Sequence, residues 1–205
     1  MFIRYLSRIA AASASVALLA ACIGTNNLTR TERRTILSQG EVMRVLTVDT
    51  PSDLEILRTP CVDFPDGVLR SGIYRTLAAN MVATVTDPGQ DGVGIAGPQV
   101  GLSRRIVAVQ RFDKDGEPFE VYPNIRIESL SGEITHGPEG CLSIPGKRGI
   151  VPRYSKLIVS YKDPASLKTV RDTVEGFTAI IFQHEVDHLE GILYTDKADS
   201  LYMDM

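Results

Sequence analysis

His184 and His188, four residues apart with Glu185 beside the first, constrain this chain more than any other stretch. Residues i and i+4 share one face of a helix, so both imidazoles can reach a single metal ion. Glu185 falls on the flank of that face, where a carboxylate can handle protons on a metal-bound water. The chain has only three His in 205 residues, and two of them are here. The surroundings predict a helix over residues 176–189. No proline interrupts them, Phe177, Ile180, Ile181, His184 and His188 recur at helical spacing, and Gly191 supplies a C-terminal cap. The histidines continue an apolar stripe and are expected to face inward, where polar groups need partners or a metal. Asp187 is a candidate to accept a hydrogen bond from a ring nitrogen, with a solvated carboxylate the equal alternative.

A metal needs more than two ligands, and Cys141 is the third candidate. It lies in Glu139-Gly140-Cys141-Leu142-Ser143, within a passage that reads as turn-rich from His136-Gly137-Pro138 to Pro145-Gly146. A thiolate and two neutral imidazoles leave a tetrahedral ion one open position, as in a catalytic rather than a structural site. Alone, Cys141 reads equally as a small buried hydrophobe. A glycine-rich segment, residues 92–101, lacks the Gly-x-Gly-x-x-Gly spacing and the preceding strand of a nucleotide loop. It reads instead as a loop where backbone approaches another group closely and Gln99 offers an amide.

Taken in order, residues 92–99, 139–143 and 183–188 resemble the three signature motifs of the peptide deformylases. The resemblance continues through residues 145–149 and 189–193 and covers roughly residues 45–197. It implies that Cys141, His184 and His188 hold one divalent metal ion, commonly Fe2+, with Zn2+, Ni2+ or Co2+ as substitutes. It implies hydrolysis of N-formyl-methionyl peptides to formate, with Glu185 as base and then acid. Gln99 and the Leu142 N–H would steady the oxyanion. By the same resemblance, Ile180 and Ile181 line a methionine pocket, Val93 and Gly94 pair with the extended peptide, and Glu139 and Gly140 border the substrate. Arg148 would stabilise the loop by pairing with Glu139. Three departures stand out. Gly97 replaces a usual Ala and is expected to loosen its loop. Tyr122-Pro123-Asn124 replaces a common Asn-Pro and is expected to weaken a buried hydrogen bond. No long C-terminal helix follows Asp196.

The N-terminus departs further. Residues 1–21 read as an export signal, with Arg4, Arg8, an apolar run over 9–19 and no acidic residue before Glu32. Leu19-Ala20-Ala21-Cys22 resembles a bacterial lipobox, making Cys22 the candidate lipidation site. The apolar run is short for a membrane span, but acyl chains would anchor the protein stably in the cell envelope. Residues 22–42 then read as a flexible tether, and residues 43–205 as the catalytic domain. Two alternatives are a mitochondrial transit peptide, and a cytoplasmic enzyme started at Met43. An exported enzyme would meet secreted formyl peptides rather than nascent chains. There, Cys61 and Cys141 are the thiols left to form a disulfide; otherwise Cys61 reads as a buried spectator.

The remaining sequence bounds the architecture. Removing 21 residues leaves 184 of the 205, enough for one domain with a good core. The 22 basic and 25 acidic residues balance closely, so nothing points to nucleic acid. A monomer is expected. Residues 71–86 read as an amphipathic helix, with Ile73, Leu77 and Met81 spaced by four. Strand-like runs follow at 105–110, 119–122, 125–128, 133–136, 156–162 and 168–174. Strands first and the histidine helix last make an α+β class. The family resemblance implies small antiparallel sheets packed around a central metal-binding helix. Three rival functions stay open: a related metal amidase acting on another acylated peptide, a general metalloprotease, and a non-catalytic envelope lipoprotein retaining the fold.

Overall fold

A computed structural model describes residues 27–90 and 92–204. The export signal, Cys22 and the first residues of the expected tether lie outside them. Among the described residues, no helix is long and apolar enough to cross a membrane.

Two antiparallel sheets form around one helix. The smaller sheet is β1 (Gly94–Ala96), β2 (Ile106–Gln110) and β3 (Phe119–Pro123), in that order. The larger joins β4 (Arg126–Cys141), β5 (Ile144–Lys162) and β6 (Thr169–Glu175), with β7 (Ser200–Met203) added beside β5. Ahead of the sheets come α1 (Arg30–Ser38), α2 (Pro51–Leu57), α3 (Asp66–Leu69) and α4 (Gly72–Val85); α5 (Gly176–Leu189) follows β6. Val107, Val109 and Tyr122 from one sheet and Leu157, Val159 and Val174 from the other meet Phe182, Val186 and Leu189 of α5 in one apolar cluster. Burying each such side chain stabilises by roughly 1.5–3 kcal/mol, which makes α5 the keystone between the sheets. This is the expected α+β architecture of small antiparallel sheets around a central helix.

The helix boundaries follow from local chemistry. Ser71 caps α4 by accepting from the Tyr74 N–H, and Leu77, Met81 and Val85 bury the inner face at a spacing of four. Gly191, at φ +72°, ends the α5 region as expected, its N–H donating to the His188 carbonyl.

Several expectations are corrected. Residues 30–38, read as part of a flexible tether, form α1. Thr29 and Glu32 make a reciprocal capping box, and Leu28 and Ile36 are buried in the cluster that contains α4. The two short runs at 125–128 and 133–136 are one strand, β4. Its period is broken at Ser131/Ile134 by a bulge in which Gly132 takes φ +78°. The passage read as turn-rich, 136–146, belongs mostly to the β4–β5 hairpin, with only Leu142 and Ser143 between the strands. The α5 stripe does not simply face the core. Phe177 is 54% exposed, while Thr178, Ala179, Phe182 and Gln183 are buried, so the stripe faces a cleft and the helix is covered around most of its girth.

Candidate metal centre and active-site cleft

Three elements converge on the cleft. The β4–β5 hairpin ends in Cys141, α5 presents His184 and His188, and a 3-10 turn, Gly97–Val100, presents Gln99. One ligand atom from each of Cys141, His184 and His188 can be chosen so that all three lie within 4.8 Å of one another. Sγ of Cys141 is 3.3 Å from Nε2 of His188. Nδ1 of His184 is 2.8 Å from Oε2 of Glu139, which leaves its Nε2 for a metal. A thiolate with two imidazoles suits Fe2+, Zn2+, Co2+ or Ni2+ and disfavours Mg2+ or Ca2+, so the residues fit a catalytic transition-metal site.

Glu139 does not pair with Arg148. Both its oxygens accept from Arg153, at 2.7 Å and 3.0 Å. The register explains this. Glu139 lies opposite Gly149, and Arg148 opposite Gly140, so Arg148 projects to the other face of the hairpin. Arg153 is four residues from Gly149 on the shared face. Arg148 instead pairs with Asp204 at 2.9 Å. Burial works against the ionised Glu139, but the hydrogen bonds with His184 and Arg153 win and hold its carboxyl down at about 2. Glu139 is thus committed to a ligand and a counter-charge, although it also borders the cleft.

Asp187 does not reach an imidazole. It accepts from Arg153 at 2.5 Å and from Lys197 at 2.6 Å, and it is Glu139 that orients His184. Gln183 docks α5 on β5, accepting from the Tyr154 N–H at 3.0 Å and donating to the Tyr154 carbonyl at 2.7 Å. Tyr194 stacks on His184 with ring centroids 6.0 Å apart. Nδ1 of His188 is buried without a partner. Burial depresses the pKa of His188, favouring the neutral imidazole a metal requires.

Glu185 is 4% exposed, and its Oε2 is buried with no hydrogen-bond partner. Burial pushes its carboxyl up to about 7. A Cβ added at Gly94 would fall 2.5 Å from Oε1 of Glu185, so glycine at 94 makes room for this carboxylate. Gln99 is equally constrained. Its Oε1 accepts from the Ala96 N–H at 2.8 Å, while its Nε2 points to Ser143 Oγ at 3.3 Å and Cys141 Sγ at 3.6 Å. Gly97 does not loosen this turn, because a Cβ there would run into the carbonyls of Leu102 and Arg104. Asn124 keeps its buried bonds too, clasping the backbone of Phe64 at 2.7 Å and 2.9 Å.

A cavity of about 520 Å³ opens over the site. Val93, Gly94, Gln99, Glu139, Gly140, Cys141, Leu142, Arg148, Ile180, Ile181, His184 and Glu185 all border it, and His188 lies behind at 1% exposure. Every expected residue of the catalytic domain is therefore at or beside one cleft. Sequence reasoning missed Arg153, Ser143 and Tyr194. Arg153 lies outside every strand-like run read from the sequence, so its partnership with Glu139 had no visible signal. Cys61 is a buried free thiol that burial pushes up to about 12, and it packs in the α5 cluster rather than in the cleft.

Comparison with known proteins agrees with this geometry. The family model for polypeptide deformylase matches residues 42–203. A peptide deformylase of Desulforudis audaxviator is 40% identical over 150 residues, covering 69% of this chain and 94% of that protein. The class I type b peptide deformylase of Acinetobacter baumannii, in its K1U-bound crystal structure, superposes with a TM-score of 0.68 at 35% identity, covering 76% of this chain and 99% of that one. The same enzyme with Met-Ala-Ser bound gives 0.66 at 34% identity, covering 76% and 98%. With a metal-binding Cys-His-His group, a buried carboxylate and the shared fold, this chain belongs to the polypeptide deformylase family of metal-dependent hydrolases.

Proposed function

We propose that this peptide deformylase removes the formyl group from N-formyl-methionyl peptides, with Cys141, His184 and His188 holding one divalent ion, Fe2+ by preference. When bound, the ion supplies Lewis acidity at the scissile carbonyl and lowers the pKa of water toward neutrality. Glu185 takes the proton from the attacking water and returns it to the departing amine. The Gln99 amide and the Leu142 N–H steady the developing oxyanion, and one such donor is typically worth ~2.7–4 kcal/mol. Ile180 and Ile181 receive the methionine side chain, and the backbone of Val93 and Gly94, at the start of the edge strand β1, pairs with the extended peptide. Glu139 and Arg153 act behind the ligands rather than on substrate.

The observation that carries this reading is the unpartnered Oε2 of Glu185, buried in the cleft beside the Cys-His-His group. A binding protein has no use for such a carboxylate. Formate release from formyl-Met-Ala-Ser, assayed beside acetyl-Met and unblocked peptides, tests it. We expect turnover of the formyl peptide alone, lost by at least about 100-fold in Glu185→Ala. Comparable turnover of the acetyl peptide would favour the other-amidase reading.

For location, we propose lipid anchoring at Cys22 in a bacterial envelope, which rests on the Leu19–Cys22 sequence alone. Fatty-acid labelling of the chain, abolished by Cys22→Ala, is the expected result. Equal soluble fractions of both forms would favour a cytoplasmic enzyme.

A further inference from the structure

Residues 27–41 lie outside the span matched by the family model, yet they are built into the fold against the Gln99 turn. On the outer side, Glu32 of α1 accepts from Arg104 through both oxygens, Nε at 2.5 Å and Nη2 at 3.2 Å. Arg104 is 4% exposed and also donates to the Asp63 carbonyl at 2.8 Å. Its own backbone carbonyl occupies the space a Cβ on Gly97 would need, and the Leu102 N–H donates to the Gly97 carbonyl at 2.9 Å. The turn that carries Gln99 therefore rests on residues 102–104, which α1 grips. Thr35 reaches the same turn, its methyl 3.6 Å from where a Cβ on Gly101 would sit.

On the inner side the chain returns from α1 and passes under the turn. Asn80 of α4 closes the end of α1, donating to the carbonyls of Ile36 and Gly40 at 3.4 Å and 2.9 Å. The Met43 N–H then donates to Thr84 Oγ1 at 2.8 Å. The Leu46 N–H donates to the Gln99 carbonyl at 2.8 Å, and the Val48 N–H to the Ser143 carbonyl at 2.9 Å. One segment thus wraps the Gln99 turn and ties it to the turn that follows Cys141. A chain started at Met43 would lose the outer grip.

We propose that α1, through Glu32 and Arg104, is a positioning element for Gln99. Neither residue touches substrate. The proposal rests on the role given to Gln99 above, and the experiment separates the two. Full-length wild type, Glu32→Ala, Glu32→Gln and Leu37→Ala are compared by steady-state formate release and by hydrogen–deuterium exchange, well below the melting temperature of each. Leu37 sits on the outer face of α1 at 64% exposure and serves as the control.

Glu32→Ala is expected to lower kcat about three- to tenfold with KM within twofold, because a displaced oxyanion donor acts mainly in the transition state. Exchange should speed at residues 97–104 and not in α5. Glu32→Gln keeps an acceptor for Arg104 and should recover kcat to within twofold, and Leu37→Ala should match wild type. Unchanged kcat in Glu32→Ala despite faster exchange at 97–104 would overturn the proposal. So would a uniform rise in exchange with kcat and KM moving together, which is the mark of general destabilisation. If no form releases formate, the deformylase reading fails by itself. The exchange pattern then still decides whether α1 holds the turn.

Discussion

Arg111 and Arg153 are both buried guanidiniums ringed by carboxylates, and they serve different ends. Arg153 is gripped by Glu139 and Asp187, side chains that are themselves 8% and 13% exposed. Arg111 is gripped by Asp113, Glu120 and Asp172, which are 24%, 33% and 31% exposed. It also donates to the Tyr122 hydroxyl oxygen at 2.6 Å and lies 5.7 Å from the Phe182 ring centroid, tying β3 to β6. One cluster is sealed around a ligand histidine and the other is open to water. A buried pair is costly to break because the orphaned charge stays in a poor dielectric; an accessible carboxylate rehydrates instead. The difference between the two clusters is thus where each strands its charge.

The sharpest way to break this comparison is to remove each arginine. Arg153→Ala should cost about 3–5 kcal/mol in denaturant unfolding. Because Glu139 then loses its counter-charge and orients His184 poorly, metal affinity should fall ~10–100-fold. Unchanged affinity in a metal titration would remove Arg153 from the site. Arg111→Met should cost less, about 1–3 kcal/mol, with metal affinity and kcat within twofold of wild type. A loss of metal in that variant would merge the two clusters into one functional unit.

Acid titration sharpens the comparison with the smallest effect. The hydrogen bond from Arg111 holds the Asp113 carboxyl below its ordinary value. A carboxyl with a depressed folded pKa contributes stability that is present above the unfolded value, near 3.9, and is lost as pH falls toward the folded one. Wild type should therefore lose stability more steeply than Arg111→Met as pH drops below about 4. Parallel curves would mean that Asp113 gains nothing from Arg111.

The sequence made the catalytic groups legible because their chemistry is local. Four-residue spacing places His184 and His188 on one face, and a proline-free stretch before Gly191 bounds α5 at residues 176–189. What holds those groups is non-local and was not legible. Pairing Glu139 with Arg153 depends on hairpin register across 14 residues, and a nearer arginine, Arg148, offers the more obvious partner. β7 is four residues, formed only because β5 offers an edge at Lys147–Ile150. The α1 capping box was readable as Thr29-x-x-Glu32, but a polar, arginine-rich stretch reads as tether unless Ile36 is known to have a pocket in the core.

The long β4–β5 hairpin has a bearing on assembly as well as on architecture. Successive residues of a strand point to opposite faces, so a slip of one residue between β4 and β5 would turn Arg153 away from Glu139. Glu139 would then lose the Arg153 guanidinium that donates to both its oxygens, while Asp187 would keep only Lys197. A misregistered hairpin is therefore electrostatically penalised. One hairpin register thus sets both the buried charge pairing and the alignment of His184 toward Cys141.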